Sequence, residues 1–317
     1  MSEAAWWRHL RGDPGRFLLD ESEPGVVWRA QVELLGRPHD SPAAVRAREQ
    51  ARRTGLAAGV LEGQEPPGYW GSPGGYGVRW GGTAWRVSAL AQLGADPEDP
   101  RVERGAATLL ESLQPRDGGF SPARGKIPSS CFTAEVCAAL ARFGFAHQPR
   151  VREAMAWLAS RPVQDGGWSC PDLRHLVGGS CPIAAVAVLR LVGELPESER
   201  RRATQLSSRA ASYLTEHDLF ARGGAPRGWL AFSWPNLGRT DLIDALAALA
   251  LAERPGDASV TASLPLVIAG QDETGRWRQH AGSPYGEPVG VPGRWVTLRA
   301  LVAISRYGET VPAITAE

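Results

Sequence analysis

A stretch of this sequence returns at a fixed interval of fifty residues, and no other feature limits so tightly what the chain can fold into. Thr83-Ala84-Trp85-Arg86-Val87-Ser88-Ala89-Leu90-Ala91 is matched by Thr133-Ala134-Glu135-Val136-Cys137-Ala138-Ala139-Leu140-Ala141. Thr83 and Thr133 each stand eleven residues before a glycine, and a third copy keeps that interval from Thr297 to Gly308. After the first two copies come Pro100-Arg101-Val102 and Pro149-Arg150-Val151. Then follow the turns Gln114-Pro115-Arg116-Asp117-Gly118-Gly119-Phe120 and Gln164-Asp165-Gly166-Gly167-Trp168, with degenerate versions at Gln64 to Trp70 and Gln271 to Trp277.

Each unit reads as a pair of helices. Segments such as Ile183 to Val192 and Leu242 to Ala252 are almost continuously apolar, the pattern of a helix buried on all sides. The partner is amphipathic: Val102, Ala106, Leu109, Leu110 and Leu113 recur at helical spacing, with Arg101, Glu103, Arg104 and Glu111 on the other face. Inner helices are expected at Val26 to Gly36, Thr83 to Gly94, Cys131 to Gly144, Pro182 to Gly193, Arg239 to Ala252 and Trp295 to Gly308. Each follows an outer helix, the first being Ala4 to Arg11. An open stack of such pairs needs polar capping repeats, and the last inner segment is as apolar as the central ones. The expected fold is therefore all-α: one domain over 1–317, an (α/α)6 toroid of six inner and six outer helices around a central cavity. Inner-helix N-termini then share one mouth, where function is expected. Trp168 and Trp277 are expected to pin adjacent pairs by stacking on the preceding glutamine, leaving Trp80, Trp85 and Trp295 to line the cavity.

Composition removes several alternatives. With 317 residues, 43% hydrophobic and a formal charge of +1 from 35 basic and 34 acidic side chains, the chain has material for a core. It has no polybasic surface for nucleic acid. Lys126 is its only lysine. No apolar run approaches the ~20 residues of a membrane helix and no signal peptide is visible, so the expected location is cytoplasmic. Cys131, Cys137, Cys170 and Cys181 are then packed thiols or metal ligands rather than disulfides.

A Gln followed by Asp-Gly-Gly-Trp or Asp-Gly-Gly-Phe, closing an outer helix at each fifty-residue step, resembles the repeat of squalene-hopene cyclases and protein prenyltransferase beta subunits. The resemblance implies the double helical ring and an apolar cavity for an isoprenoid or other apolar small molecule. It also raises a helical-repeat partner chain as a candidate partner. The family's cyclases protonate an alkene with an Asp-x-Asp-Asp motif, which this chain lacks. The nearest acids are Asp241, Asp244 and Glu135. Asp241 and Asp244, at i, i+3, could raise each other's pKa as a general acid needs. A helix N-terminus stabilises an ionised Asp, however, which favours Asp241 as a helix cap. The family's prenyltransferases hold zinc with Asp, Cys and His. Here Cys181 falls at the cysteine position, Gly179 where the Asp is expected, and no counterpart of the His is evident. Arg174 matches a diphosphate-binding basic residue, and magnesium is the companion ion such a substrate implies.

The residues themselves suggest a different ligand set. Cys170-x4-His175-x5-Cys181 leads to the inner mouth, and Cys131 begins the neighbouring inner helix one period earlier. Three thiolates and an imidazole suit tetrahedral zinc, with sulfurs roughly 3.5 to 4 Å apart. His217 and His280 are alternative imidazoles, and Cys137 reads as core. Arg174 and Arg239 are expected to supply positive potential for an anionic head group, or to pair with Asp172 and Asp241. Two functions follow from this set. One is an isoprenoid-processing enzyme, a prenyl transferase or terpene cyclase-like catalyst. The other is a non-catalytic ring that binds a lipid or partner, with a structural metal or packed cysteines.

Overall fold

The repeat is held by one hydrogen-bonded unit, used again and again. In the computed structural model, which describes residues 5–113, 115–123, 126–172, 176, 179–220, 228–251 and 258–307, the repeat threonine grips the aromatic residue of the preceding turn. Thr83 Oγ1 accepts from Trp70 N at 3.2 Å, Thr133 Oγ1 from Phe120 N at 2.9 Å, and Thr297 Oγ1 from Trp277 N at 3.0 Å. The indole then reaches the other way. Trp168 Nε1 donates to Leu158 O, Trp229 Nε1 to Leu219 O and Trp277 Nε1 to Val267 O, each ten residues back. For Trp168 and Trp277, that carbonyl lies in the outer helix just completed. One tryptophan thus satisfies a helix-end carbonyl and is itself fixed to the next inner helix. Trp168 and Trp277 therefore pin the pairs through their indole N–H.

The elements follow from this arrangement. Helices α1 (Gly15–Leu18), α2 (Pro24–Glu33), α3 (Pro42–Ala51) and α4 (Gly55–Leu61) precede α5 (Thr83–Gln92) and α6 (Pro100–Ser112). A two-residue hairpin, β1 (Pro115–Arg116) with β2 (Gly119–Phe120), is the only sheet among the described residues. Then come α7 (Ser130–Arg142), α8 (Pro149–Ala159), α9 (Pro182–Glu194), α10 (Glu197–Arg200), α11 (Thr204–Glu216), α12 (Leu242–Leu251), α13 (Ala258–Ala269) and α14 (Arg294–Tyr307). The expected inner helices correspond to α2, α5, α7, α9, α12 and α14. The first outer one is a 3-10 helix, Ala5–His9, and α3 and α4 together occupy the second outer position. Proline at the first turn of α2, α6, α8 and α9 starts each helix where a missing N–H costs nothing.

Packing runs α5 to α7, α7 to α9, α9 to α12, α12 to α14 and α14 back to α2. Between α2 and α5 two glycines permit close approach: a Cβ on Gly25 would stand 2.6 Å from Leu93 O, and Gly94 (φ +63°) faces Gly25 O. The chain's beginning and end are joined by the same kind of glutamine contact that ties the turn after α4 to α6. Gln64 Nε2 donates to Arg101 O in the next outer helix at 2.8 Å. Gln271 Nε2 donates to His9 O at 2.8 Å, and Gln271 Oε1 accepts from Arg11 N at 2.7 Å. Residues 9–11 thus stand where the next outer helix would be. The inner helices are buried nearly throughout, as in Ala184 to Val192 of α9.

At the α14–α2 meeting point Glu23 is buried beside Glu287, Arg294 and the Trp295 indole, with Oε2 accepting from Leu56 N at 3.0 Å. Burial first, and then the Glu287 carboxylate, push its pKa up to about 7. The unfolded chain releases this proton near pH 4.5, whereas the folded chain keeps it to about pH 7. Its contribution is therefore complete below pH 4.5 and is lost as pH rises through 7, by at most about 3 kcal/mol. Glu23→Gln should remove this loss, so its stability gain over wild type in urea unfolding should grow from pH 5 to pH 8. The same gain at both pH values would contradict the assignment. Thr133→Val should cost about 1–3 kcal/mol by leaving Phe120 N buried without its acceptor, read from urea midpoints.

Candidate functional site

Three cysteines meet where α7 and α9 begin. Ser129 caps α7, its Oγ accepting from Phe132 N at 3.5 Å, and this places Cys131 in the first turn. Trp168 O accepts from Cys181 N at 2.8 Å, which fixes the start of α9 and holds Cys170, two residues past the tryptophan, against it. Cys131 Sγ and Cys170 Sγ are 3.6 Å apart, and the three sulfurs lie within 4.8 Å of one another. Ser129 Oγ is 3.1 Å from Cys131 Sγ and 3.9 Å from Cys170 Sγ. All three cysteines are buried, Cys181 completely. The Cys181 thiol is pushed up by its hydrogen bonds to Cys131 and Cys170 and by burial. Cys137 lies inside α7, its thiol raised by burial alone, so it belongs to the core.

The donor set fits a thiophilic ion such as zinc: three sulfurs within 4.8 Å of one another, one pair at the expected 3.6 Å, brought together without a disulfide. His175 and Arg174 lie outside the described residues. His217 and His280 are not part of the cluster. His217 Nδ1 is 2.8 Å from Tyr213 O and its ring packs on Tyr213 and Phe220, while His280 stacks on Phe232.

Cys131 and Cys170 form part of the wall of a cavity of about 450 Å³ whose other sides include Trp85, Phe132, Arg79 and Glu135. Trp85 and Phe132 meet edge to face at 5.6 Å, and Trp80 braces Trp85 at 5.0 Å. The Arg79 guanidinium lies 4.5 Å over Trp80 and 5.9 Å from Trp85. Lys126 borders the same cavity. Trp295 is placed elsewhere: it is 1% exposed and packs at the α14–α2 contact against Gly25 and Gly94. Arg239 donates to Ala231 O at 3.2 Å and does not border the cavity. Among the described residues, the cations at the cavity are Arg79 and Lys126.

The three acids divide between two roles. Asp241 caps α12: Oδ1 accepts from Asp244 N at 2.9 Å, and Oδ2 from Ser233 N at 3.0 Å and Asn236 Nδ2 at 3.2 Å. Burial, then the neighbouring Asp244, raise its pKa to about 6. Asp244 accepts from Arg299 at 2.7 Å and Thr240 Oγ1 at 3.0 Å. Neither borders the cavity. Glu135 does, on the helix face of Cys131 one turn later. It accepts from Gln92 Nε2 at 2.6 Å and Arg190 at 2.8 Å, and burial raises its pKa. Arg299 also lies 3.7 Å over the Trp234 ring, whose Nε1 donates to Gln92 O.

Sequence reasoning missed Arg79, Ser129, Arg190 and Arg299. Ser129 stands two before Cys131 in N-cap position, and the two arginines interrupt inner-helix apolar runs; these were the available signals. Lys126 belongs to no motif and stands out in the sequence only as its single lysine.

No protein-family model matches the chain, and no curated protein matches it in sequence. Among solved structures it is similar to the type II terpene cyclase MstE from Scytonema without ligand, with a TM-score of 0.47 and 17% identity, covering 91% of this chain and 88% of that one. A variant of MstE in complex with geranylgeranyl dihydroxybenzoate gives a TM-score of 0.46, 17% identity and the same coverage.

Zinc added to reduced, metal-free protein should bind at one equivalent, and cobalt should give thiolate-to-metal charge-transfer absorption. Cys170→Ala should weaken binding by more than the roughly 10–100-fold typical of losing a ligand's supporting hydrogen bond. Absence of the charge-transfer band would reduce the cluster to packing.

Proposed function

We propose that this chain is a single-domain, isoprenoid-processing enzyme: a closed ring of six inner and six outer helices, with an apolar ligand in its cavity and zinc on Cys131, Cys170 and Cys181. The observation that carries this reading is the placement of two of those sulfurs on the wall of a 450 Å³ cavity faced by Trp85 and Phe132. A purely structural metal has no need of such a cavity. Volumes of about 300–1,000 Å³ with apolar walls and few polar groups are typical of small-molecule sites.

Each group has a role in this reading. Trp85 and Phe132 cover the hydrocarbon, and their ring faces favour positive charge developing on it. Arg79, held over two indoles, and Lys126 face an anionic head group such as a diphosphate, which magnesium would accompany. Zinc, when bound, supplies Lewis acidity and lowers the pKa of a group placed on it. Glu135, held between Gln92 and Arg190, presents its carboxyl group to the cavity. Asp241 and Asp244 hold the cavity floor in place rather than donate protons, since protein donors already fill their oxygens. A reducing, cytoplasmic setting agrees with four cysteines outside disulfides. Among the described residues no helix is long and apolar enough to cross a membrane.

The full hydrogen bonding of Asp241 and Asp244 also favours the second reading, a ring that binds an apolar ligand without turnover. Farnesyl and geranylgeranyl diphosphates, tested with zinc or magnesium, separate the two. Binding with turnover is expected, and Trp85→Ala should weaken binding about tenfold or more through lost apolar burial. Tight binding without turnover under either metal would favour the second reading. No binding at all would remove both.

A further inference from the structure

Cys170 stands between two openings. On one side is the cavity shared with Cys131; on the other is a cleft of about 550 Å³ bordered by Ile127, Ser130, Trp157, Arg161 and Ser169. Cys181, the third sulfur, borders neither and is fully buried. We propose that Cys131 and Cys170 are an oxidant-modification site, a pair that a peroxide converts to a disulfide and thereby withdraws from the metal position. The inference rests on the metal reading only for release of the ion. The disulfide depends on the sulfurs alone.

The geometry is already close. The Cys131 and Cys170 sulfurs, at 3.6 Å, are in van der Waals contact. Shortening to a bond of about 2.05 Å takes roughly 1.5 Å of movement, within the reach of side-chain rotation. Cys131 is anchored in α7, whereas Cys170 lies in the non-helical segment before Pro171, so Cys170 can move toward its partner. Ser129 Oγ, close to both sulfurs, can donate to oxygen as it departs.

The steps balance. The Cys170 thiolate attacks one peroxide oxygen; the O–O bond breaks, an S–O bond forms and hydroxide leaves, giving a sulfenic acid. The Cys131 sulfur then attacks Cys170 sulfur; the S–O bond breaks, hydroxide leaves again and the S–S bond forms. In sum, two thiols and one hydrogen peroxide give one disulfide and two waters, the sulfurs losing the two electrons that peroxide gains. Cys181 alone cannot retain an ion.

The test uses the full chain, zinc-loaded and metal-free, treated with hydrogen peroxide. Zinc release is followed with a chromogenic chelator, and crosslinks by peptide mass spectrometry without reduction. One zinc released per Cys131–Cys170 crosslink, and rebinding after dithiothreitol, is the expected result. In the metal-free protein the same crosslink should dominate. Iodoacetamide should label Cys131 and Cys170 at least about tenfold faster than Cys181 and Cys137. Crosslinks dominated by Cys181, oxidation to sulfinic acid without a crosslink, or faster labelling of Cys181 would overturn the proposal. Zinc binding without the crosslink would refute it and leave the metal reading intact. A crosslink in protein that takes up no zinc would refute the metal reading instead.

Discussion

The structure depends on the aromatic residue of the turn that precedes an inner helix, a hydrogen-bonded tryptophan at Trp70, Trp168, Trp229 and Trp277 and a phenylalanine at Phe120. Where it is Trp168, Trp229 or Trp277, its indole N–H satisfies a carbonyl ten residues back. Its backbone is tied to the next inner helix, through the threonine where one exists and through Cys181 N or Leu242 N where it does not. A helix pair cannot bury its apolar inner face alone, so each must be set at a defined offset from the next. Because the link is buried, breaking it leaves a polar group without a partner, which costs more than the bond contributes. Equal links at successive positions give equal offsets, and this lets the Gln271 contact reach residues 9–11 at the far end of the chain.

A second constraint lies at the cavity floor. Arg190 and Arg299 project from buried stretches of α9 and α14 onto Glu135 and Asp244, while Gln92 donates to Glu135, Asn236 to Asp244 and Trp234 to the Gln92 carbonyl. Buried ion pairs of this kind contribute little net stability compared with apolar packing, while loss of one member strands the other. Their effect is positional. They join α5, α7, α9, α12 and α14 through side chains that accept only one arrangement, and they place Glu135 at the foot of the cavity. The carboxylates Asp241 and Asp244 are hydrogen-bonded within this frame and do not border the cavity, whereas Cys131 and Cys170 do.

Among the site residues, the cysteines were legible because the period placed Cys131 and Cys181 at equivalent inner-helix starts and Cys170 on the turn between them. Trp85 was legible from its place in the first turn of an inner helix. Trp295, at a similar place, was drawn instead into the α14–α2 contact, where glycines at 25 and 94 leave room for an indole. No local pattern encodes that difference. Arg239 likewise turns to a backbone carbonyl on its own segment, and the cavity takes its cations from Arg79 and Lys126, on loops whose course depends on neighbouring repeats.

By itself the sequence determined the helices, their inner and outer roles, the fifty-residue step and the cysteine cluster. Those depend on periodicity and on short-range hydrogen bonds repeated along the chain. Only the tertiary structure decided which face of each inner helix meets the cavity, which acids are consumed by the frame, and which aromatic residues remain open to a ligand. These outcomes rest on contacts between residues far apart in sequence, such as Gln92 with Asn236 and Arg299 with Asp244. In such contacts, burial and partner geometry set a side chain's chemistry more strongly than its own identity or its neighbours along the chain.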